Sequence, residues 1–323
     1  MSFESDFLVD RSRIRRKLTF WRAISALVVI AAVIGLTVAL APSARQAITG
    51  SEAIARVKIE GLIRSNDERV AALERLGKSK AAAVIVHINS PGGTTAGAEQ
   101  LFDALTRLKA KKPLVVVVEG LAASGGYIAA LASDHIIAQQ TSLVGSIGVL
   151  FQFPNFSELL KTVGIKVEEV KSAPLKAAPN GFEPTSPEAR AALDALVKDS
   201  FAWFKDLVKP RRQMDDATLQ TVSDGRVFTG RQAVGLKLID QLGDEKTAVK
   251  WLQAQNKIKG ELPVRDYKLA PRFSDLTFLR TAAEAALRAA GLETFARLVG
   301  TGGLAEQFEL EGMLALWRPA GAD

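Results

Sequence analysis

The sequence contains no cysteine and only two histidines, His87 and His135, among its 323 residues. The absence of cysteine excludes a disulfide framework and any metal site built from thiolates. Two imidazoles are also too few for a three-histidine metal site. The apolar fraction of 48% and the charged fraction of 24% are typical of a globular chain that can bury a core.

The excess of positive over negative charge is concentrated at the amino terminus. Residues 1–22 hold six basic and three acidic residues, which give +3 of the total net charge of +7. The other residues therefore carry only about +4, which is too little and too dispersed for a nucleic-acid-binding surface. We expect no nucleic acid among the partners.

One long uncharged run follows this basic segment, over residues 23–41. About 20 apolar residues suffice to cross a hydrocarbon core about 30 Å thick, and basic residues stay on the cytoplasmic side. A cleaved signal peptide is the alternative, because residues 39–41 resemble a processing site, but the run is longer than a usual signal core. We predict a cytoplasmic tail over residues 1–22, a transmembrane anchor over 23–41 and a linker over 42–53.

Short apolar runs alternate with helical patterns after residue 53. Residues 81–88 and 113–118 are nearly continuous apolar runs, typical of strands that are covered on both faces. Each is followed by a glycine-rich turn and a helical pattern, and this repetition indicates βαβ units with a parallel sheet. We predict an α/β domain over residues 54–255 and a helical tail of unknown role over 256–323.

Two glycine-rich turns follow these strands, at the sheet edge where open α/β folds bind ligands. The first, residues 90–93, lets backbone N–H groups approach a developing oxyanion. The second, residues 123–126, places the hydroxyl of Ser124 at a strand-to-helix turn, so Ser124 is a candidate nucleophile. A simple helix N-cap is its other possible role. Neither turn continues with the Lys-Ser/Thr of a phosphate-binding P-loop.

A serine nucleophile needs a base, and neither histidine is well placed. His87 lies inside an apolar run, and His135 lies at the end of the helix that Ser124 begins, about 15 Å away. A lysine can serve instead, provided that burial lowers its pKa from about 10.4 toward neutrality.

Five motifs occur in an order that resembles the signal peptide peptidase A family in its one-copy form. They lie at residues 89–93, 122–127, 145–149, 171–176 and 224–230, the last followed by residues 235–240. The resemblance covers about residues 54–255. It implies a ClpP/crotonase-like fold of repeated ββα units and a Ser-Lys dyad that hydrolyses peptides, with no metal and no cofactor.

The resemblance assigns roles to five residues. It implies that Ser124 is the nucleophile, that Lys176 is the general base and that Ser146 orients the lysine amine. It also places Gly93 and Gly125 where backbone N–H groups form an oxyanion hole. This chain therefore has each residue that the motifs require.

Lys171 is the rival base in the same lysine-containing motif. It ends a strand predicted over residues 167–171, where an exposed lysine is usually a solvated charge, so we favour Lys176. The motif also departs from the family pattern, because Ala173 replaces a usual glycine and residues 177–178 are alanines where polar residues are common. We expect these changes to alter the polarity of the cleft and to leave the dyad intact.

The resemblance also implies partners and a location. Two-copy relatives carry the lysine and the serine in different repeats, so a one-copy chain is expected to complete its dyad between neighbouring subunits of a homo-oligomer. The implied substrates are apolar peptides such as remnant signal peptides, at the bacterial cytoplasmic membrane with the catalytic domain in the periplasm. A crotonase-like acyl-CoA enzyme is the first alternative, and the outward-facing anchor argues against it. A membrane scaffold with a relic site is the second, and the intact site residues argue against it.

Overall fold

The computed structural model of this chain describes residues 52–269 and the strand at 313–316. The predicted cytoplasmic tail, the predicted anchor over residues 23–41 and nearly all of the linker lie outside the described residues. Within residues 52–269, no helix has both the length and the apolar character needed to span a membrane.

A parallel sheet with helical crossovers forms the centre of the fold. Strand β1 pairs with β2, β2 with β3 and β3 with β4, each time in parallel. The four strands and the helices between them follow in the order β1 (Ile54–Ile63), α1 (Asp67–Gly77), β2 (Ala83–Thr94), α2 (Thr95–Lys109), β3 (Leu114–Ala123), α3 (Gly125–Ala130) and β4 (His135–Ala138). The α/β architecture predicted from the alternating runs is therefore confirmed.

Shorter elements complete the described part of the chain. They are β5 (Leu143–Gly145), β6 (Leu150–Phe151), α4 (Ser157–Thr162), α5 (Pro187–Arg211), α6 (Asp216–Val222), β7 (Val227–Thr229), α7 (Gly230–Gly235), β8 (Gln241–Leu242), α8 (Glu245–Ala254), β9 (Val264–Asp266) and β10 (Met313–Leu316). Strand β5 lies parallel to β3 and antiparallel to β7. The strands β10 and β6 continue the sheet beyond the end of β2.

The central strands are buried on both faces, which explains their continuous apolar sequence. In β2, Val84 and Val86 belong to one core cluster, whereas Ile85 belongs to a second cluster. The first cluster includes Leu73 of α1, and the second includes Leu252 of α8. Because successive side chains of a strand point to opposite faces, both faces of β2 require apolar residues.

The sheet extends beyond residue 255, the predicted end of the domain. Strand β9 pairs with the start of β1, with Val264 opposite Ile54. Ile258 is buried in the second core cluster, and the Tyr267 hydroxyl donates to the backbone oxygen of Ala72 at 3.1 Å. The region predicted as a helical tail therefore contributes the strands β9 and β10 to the sheet.

Residues 152–186 contain the short helix α4 and no strand. The strand predicted over residues 167–171 is therefore wrong. Its two valines, Val167 and Val170, are exposed, and among the described residues no neighbouring strand pairs with them. A strand is stable only where its backbone groups bond to a neighbour, which the local sequence does not guarantee.

Candidate active site

Ser124 occupies a strained turn between β3 and α3. Its backbone has a φ of 52° and a ψ of −116°, a conformation that residues with a side chain rarely adopt. The Ser124 amide donates to the Gly145 oxygen at 2.8 Å, and the Ser124 oxygen accepts from the Tyr127 amide at 2.9 Å. Strain of this kind costs about 1–3 kcal/mol and persists only where the surrounding structure imposes it. A serine on a strained strand-to-helix turn is the arrangement that presents a nucleophilic hydroxyl in hydrolases.

The Ser124 side chain does not act as a helix cap. Its hydroxyl makes no capping hydrogen bond to α3, although the residue occupies the N-cap position. The residue is also buried, with 1% of its surface exposed. The N-cap role that the sequence left open is therefore excluded. The hydroxyl is available to act as a nucleophile.

Ser146 lies beside Ser124 at the end of the neighbouring strand. Ala123 of β3 pairs with Gly145 of β5, and neighbouring strands lie about 4.8 Å apart. Ser124 and Ser146 come directly after these two paired residues and therefore lie side by side. Ser146 also has a left-handed backbone, with a φ of 51°, and its amide donates to the Arg226 oxygen at 2.8 Å. Both serines are buried. The structure thus brings together two of the predicted site residues.

The predicted first turn is the end of strand β2, and its glycines allow close backbone packing. Ser90 is the residue of β2 that pairs with Ala122 of β3. A Cβ atom at Gly126 would lie 2.7 Å from the Ser90 oxygen, and one at Gly93 would lie 1.8 Å from the Ile63 oxygen. Only glycine fits at either position, because no side chain tolerates such distances to backbone atoms.

Gly125 follows Ser124 as the first residue of α3. The N–H groups of the first helical turn have no acceptor within the helix. Since Gly126 packs on the Ser90 backbone, the start of α3 and the end of β2 form one packed unit around Ser124. The predicted oxyanion-hole residues Gly93 and Gly125 lie near the end of β2 and at the start of α3.

Lys176 lies apart from the two serines within one chain. It is exposed in a turn, where its amide donates to the Ala173 oxygen at 3.0 Å. Over residues 52–269, no hydrogen bond or ion pair joins its side chain to Ser124 or Ser146. A single chain therefore leaves the predicted general base in contact with solvent.

Lys171 is held by two carboxylates. Its Nζ lies 2.7 Å from Glu169 and 2.6 Å from Glu183. The hydrogen bonds to Glu169 and then to Glu183 raise the pKa of Lys171. A general base needs the opposite shift, so these ion pairs disfavour Lys171 as the base. The sequence predicted a solvated charge at this position and did not reveal these two partners.

Both histidines have partners other than the candidate nucleophile. The His87 ring lies 2.6 Å from Glu119 through Nδ1 and 2.8 Å from Glu245 through Nε2. His135 stacks on Trp251 with ring centroids 4.6 Å apart, and burial lowers the pKa of its imidazole. These contacts agree with the expectation that neither histidine serves as the base for Ser124.

An exposed apolar patch surrounds Lys176 in the sequence. We call it the 156–182 patch, and its exposed members are Phe156, Leu159, Val163, Ile165, Val167, Val170, Leu175 and Phe182. Eight large apolar side chains are thus exposed within 27 residues, which makes this segment a candidate interaction surface. The sequence analysis missed this patch, although its apolar side chains could have been noted in a segment that forms almost no regular structure.

Comparison with known proteins decides the family. A family model described as Peptidase family S49 matches residues 106–259, and a Clp protease model matches residues 61–142. The putative protease slr0021 of Synechocystis is 34% identical over 200 residues, which cover 61% of this chain and 72% of that protein. The chain belongs to peptidase family S49.

Further S49-related proteins confirm the resemblance to signal peptide peptidase A. The putative signal peptide peptidase SppA of Enterococcus faecium is 30% identical over 198 residues, covering 61% of this chain and 57% of that protein. Protease 4 of Haemophilus influenzae is 27% identical over 227 residues, covering 67% of this chain and 37% of that protein. The alignment with this S49 chain thus spans just over half of the first relative and just over a third of the second.

Among solved structures, a ClpP1 mutant from Listeria monocytogenes gives a TM-score of 0.40 at 13% sequence identity. The alignment covers 60% of this S49 chain and 94% of the ClpP1 chain. That TM-score is too low to assign a shared fold.

Proposed function

We propose that this S49 chain is a membrane-anchored serine endopeptidase that cleaves apolar peptides such as remnant signal peptides. In this proposal Ser124 is the nucleophile, and Lys176 of a neighbouring subunit is the general base. The observation that carries it is the strained strand-to-helix turn at Ser124, whose hydroxyl does not cap the helix, with Ser146 directly after the adjacent strand. Membership of family S49 supports the same reaction class.

The proposed reaction is acyl transfer through Ser124. Neutral Lys176 accepts the hydroxyl proton, and Oγ attacks the carbonyl carbon of the scissile peptide bond. The N–H groups of Gly93 and Gly125 donate to the oxyanion of the tetrahedral intermediate. Lys176 then protonates the leaving amine, and the acyl group remains on Oγ. Water gives a proton to the same lysine and attacks the ester carbon. The bond between that carbon and Oγ then breaks, the lysine returns the proton to Oγ, and the product acid leaves. Ser146 holds the lysine amine toward the nucleophile.

A second subunit would provide the environment that the lysine needs. A lysine amine accepts a proton near neutral pH only where solvent is excluded around it. Lys176 is exposed in one chain, and the 156–182 patch that flanks it leaves apolar side chains in water. Packing of this patch on a second copy would bury the apolar surface and the lysine together. This supports a homo-oligomer whose dyads form between neighbouring subunits.

The preference for apolar peptides is supported by the predicted anchor and by the small residues around Ser124. An anchor over residues 23–41 would keep the domain close to peptides that leave the bilayer. Small residues flank the nucleophile, namely Gly92 and Gly93 on β2, Ala122 and Ala123 on β3, and Gly125 and Gly126 on α3. A cleft lined by small apolar groups suits an extended apolar chain.

A peptidase assay on the full-length protein tests the proposal. An apolar peptide is offered to the wild type and to the variants Ser124→Ala, Lys176→Ala and Lys171→Ala. We expect Ser124→Ala and Lys176→Ala to lose at least about 100-fold in kcat/KM, the contribution of a nucleophile or a general base. Lys171→Ala is the matched control, since it removes a lysine of the same segment, and should stay within about twofold of the wild type. Equal loss in both lysine variants, or loss in neither, would overturn the assignment of the base.

A further inference from the structure

The motif at residues 235–240 has no role in the proposed reaction, but it contacts the helix that follows Ser124. The Tyr127 hydroxyl of α3 donates to the Leu238 oxygen at 2.7 Å. Tyr127 is fully buried, and burial raises the pKa of its hydroxyl, which therefore remains protonated as a donor. This hydrogen bond joins α3 to the segment that follows α7.

The segment that carries the acceptor is held from two sides. The Lys237 oxygen accepts from Arg212 Nε at 2.6 Å, at the end of α5, and the Arg212 guanidinium also donates to the Asp240 carboxylate at 2.8 and 3.1 Å. Asp240 is bound to β4, where its amide donates to the Ile136 oxygen at 2.9 Å and its carboxylate accepts from the Ile136 amide at 2.7 Å. The Leu238 oxygen between these contacts is therefore a fixed acceptor for Tyr127.

The same tyrosine contacts Ser124 through the backbone. The amides of Tyr127 and Ile128 each donate to the Ser124 oxygen at 2.9 Å. The left-handed backbone of Ser124 persists only where the surrounding structure imposes it. Helix α3 has six residues, too few to be stable without tertiary contacts, so its position depends on what holds it from outside.

Resting on the proposed peptidase function, we infer that Tyr127 is a positioning residue that keeps Ser124 and Gly125 in their reactive geometry. It acts through α3, because its hydroxyl is bound to Leu238 and not to the reacting atoms. Loss of this hydrogen bond would let α3 shift against the end of β2. A misplacement of about 1 Å can lower the rate of an enzyme by about 100-fold.

The chain offers a matched control, since the Tyr267 hydroxyl also donates to a backbone oxygen, that of Ala72 in α1, at 3.1 Å. Tyr127→Phe and Tyr267→Phe are compared with the wild type in the full-length protein on the apolar peptide. We expect Tyr127→Phe to lower kcat by about tenfold and to change KM by less than about twofold, because the site is misaligned while the peptide still binds. Tyr267→Phe should keep kcat within about twofold, even if its Tm falls.

A second measurement does not depend on activity. The Tm of Ser124→Gly is compared with that of Ser124→Ala in the presence and in the absence of Tyr127→Phe. If Tyr127 imposes the strained turn, removing its hydroxyl relaxes the turn, and glycine loses part of its advantage at residue 124. The Tm of Ser124→Gly relative to that of Ser124→Ala should then fall by at least about 2 °C. The same comparison with Tyr267→Phe should show no change.

Each outcome decides the inference. Equal effects of the two tyrosine substitutions on kcat, or a difference between glycine and alanine at residue 124 that Tyr127→Phe leaves unchanged, would overturn it. Absence of Ser124-dependent hydrolysis in the wild type would refute the proposed function instead, and the Tm comparison would still decide whether Tyr127 sets the geometry of the turn.

Discussion

The strained backbone at Ser124 predicts an unusual response to glycine. We compare Ser124→Gly with Ser124→Ala, because both variants lack the hydroxyl and differ only in the methyl group. The matched pair is Ala123 and Ala123→Gly, one residue earlier, where the residue is buried at 0% exposure in strand β3. Any difference between the two positions then reports the backbone conformation of residue 124.

The magnitude follows from three contributions. At an ordinary buried position, glycine in place of alanine costs about 0.5–1 kcal/mol in chain entropy and about 0.8 kcal/mol for the lost buried methyl group. We therefore expect Ala123→Gly to destabilise the fold by about 1.5 kcal/mol. At residue 124 the φ of 52° and ψ of −116° impose strain that glycine relieves, about 1–3 kcal/mol. Glycine at 124 should thus be as stable as alanine or slightly more stable, a contrast of about 2 kcal/mol between the positions.

Equilibrium unfolding of the purified full-length variants provides the assay. For a domain of this size, about 1 kcal/mol moves Tm by roughly 2–4 °C, so the contrast is several degrees. A glycine penalty at residue 124 equal to that at residue 123 would show that the turn is unstrained. The link between strain and the placement of the nucleophile would then be refuted.

Two further predictions concern packing and charge around the site. Gly126→Ala should destabilise the fold by about 1–3 kcal/mol, because its Cβ would lie 2.7 Å from a backbone oxygen. The control is Gly235→Ala, which has open space around it and should be neutral or stabilising in the same unfolding assay. Equal effects would contradict this packing. The hydrogen bond that Glu245 accepts from Arg56, with a further one from His87, lowers the pKa of Glu245. Its ionised form therefore stabilises the folded state above the ordinary glutamate pKa of about 4.3. Glu245→Gln should lower the free energy of unfolding by about 1–3 kcal/mol at pH 7, measured by urea titration. This loss should shrink as the pH falls below the ordinary glutamate pKa. A loss that does not depend on pH would argue against the ion pair.

The central strands were predictable because their local sequence is apolar at nearly every position, which indicates burial on both faces. Residues 81–88 and 113–118 are apolar on both faces, and the structure places them in β2 and β3. Residues 167–171 were predicted as a strand and form none, because strand formation depends on a neighbour that local sequence does not specify. Likewise, no local pattern indicates that residues 313–316 pair with the end of β2.

The position of the nucleophile candidate was predictable, whereas its conformation was not. The glycine-rich motif identifies Ser124, but the left-handed backbone arises from hydrogen bonds to Gly145 and Tyr127, which come from separate elements. The ion pairs of Lys171 also depend on the loop geometry that brings Glu183 to it. The choice of Lys176 from sequence depended on family resemblance and on a strand that does not form, and the structure adds a physical reason against Lys171.

The most direct test of the shared dyad is the activity of mixed oligomers. Ser124→Ala chains and Lys176→Ala chains, each expected to be inactive alone, are assembled together in equal amounts and assayed on the apolar peptide. If the serine and the lysine come from neighbouring subunits, random mixing should restore about a quarter of the wild-type rate, since one interface in four then has both residues intact. A mixture without activity above that of the separate variants would contradict a dyad formed between subunits.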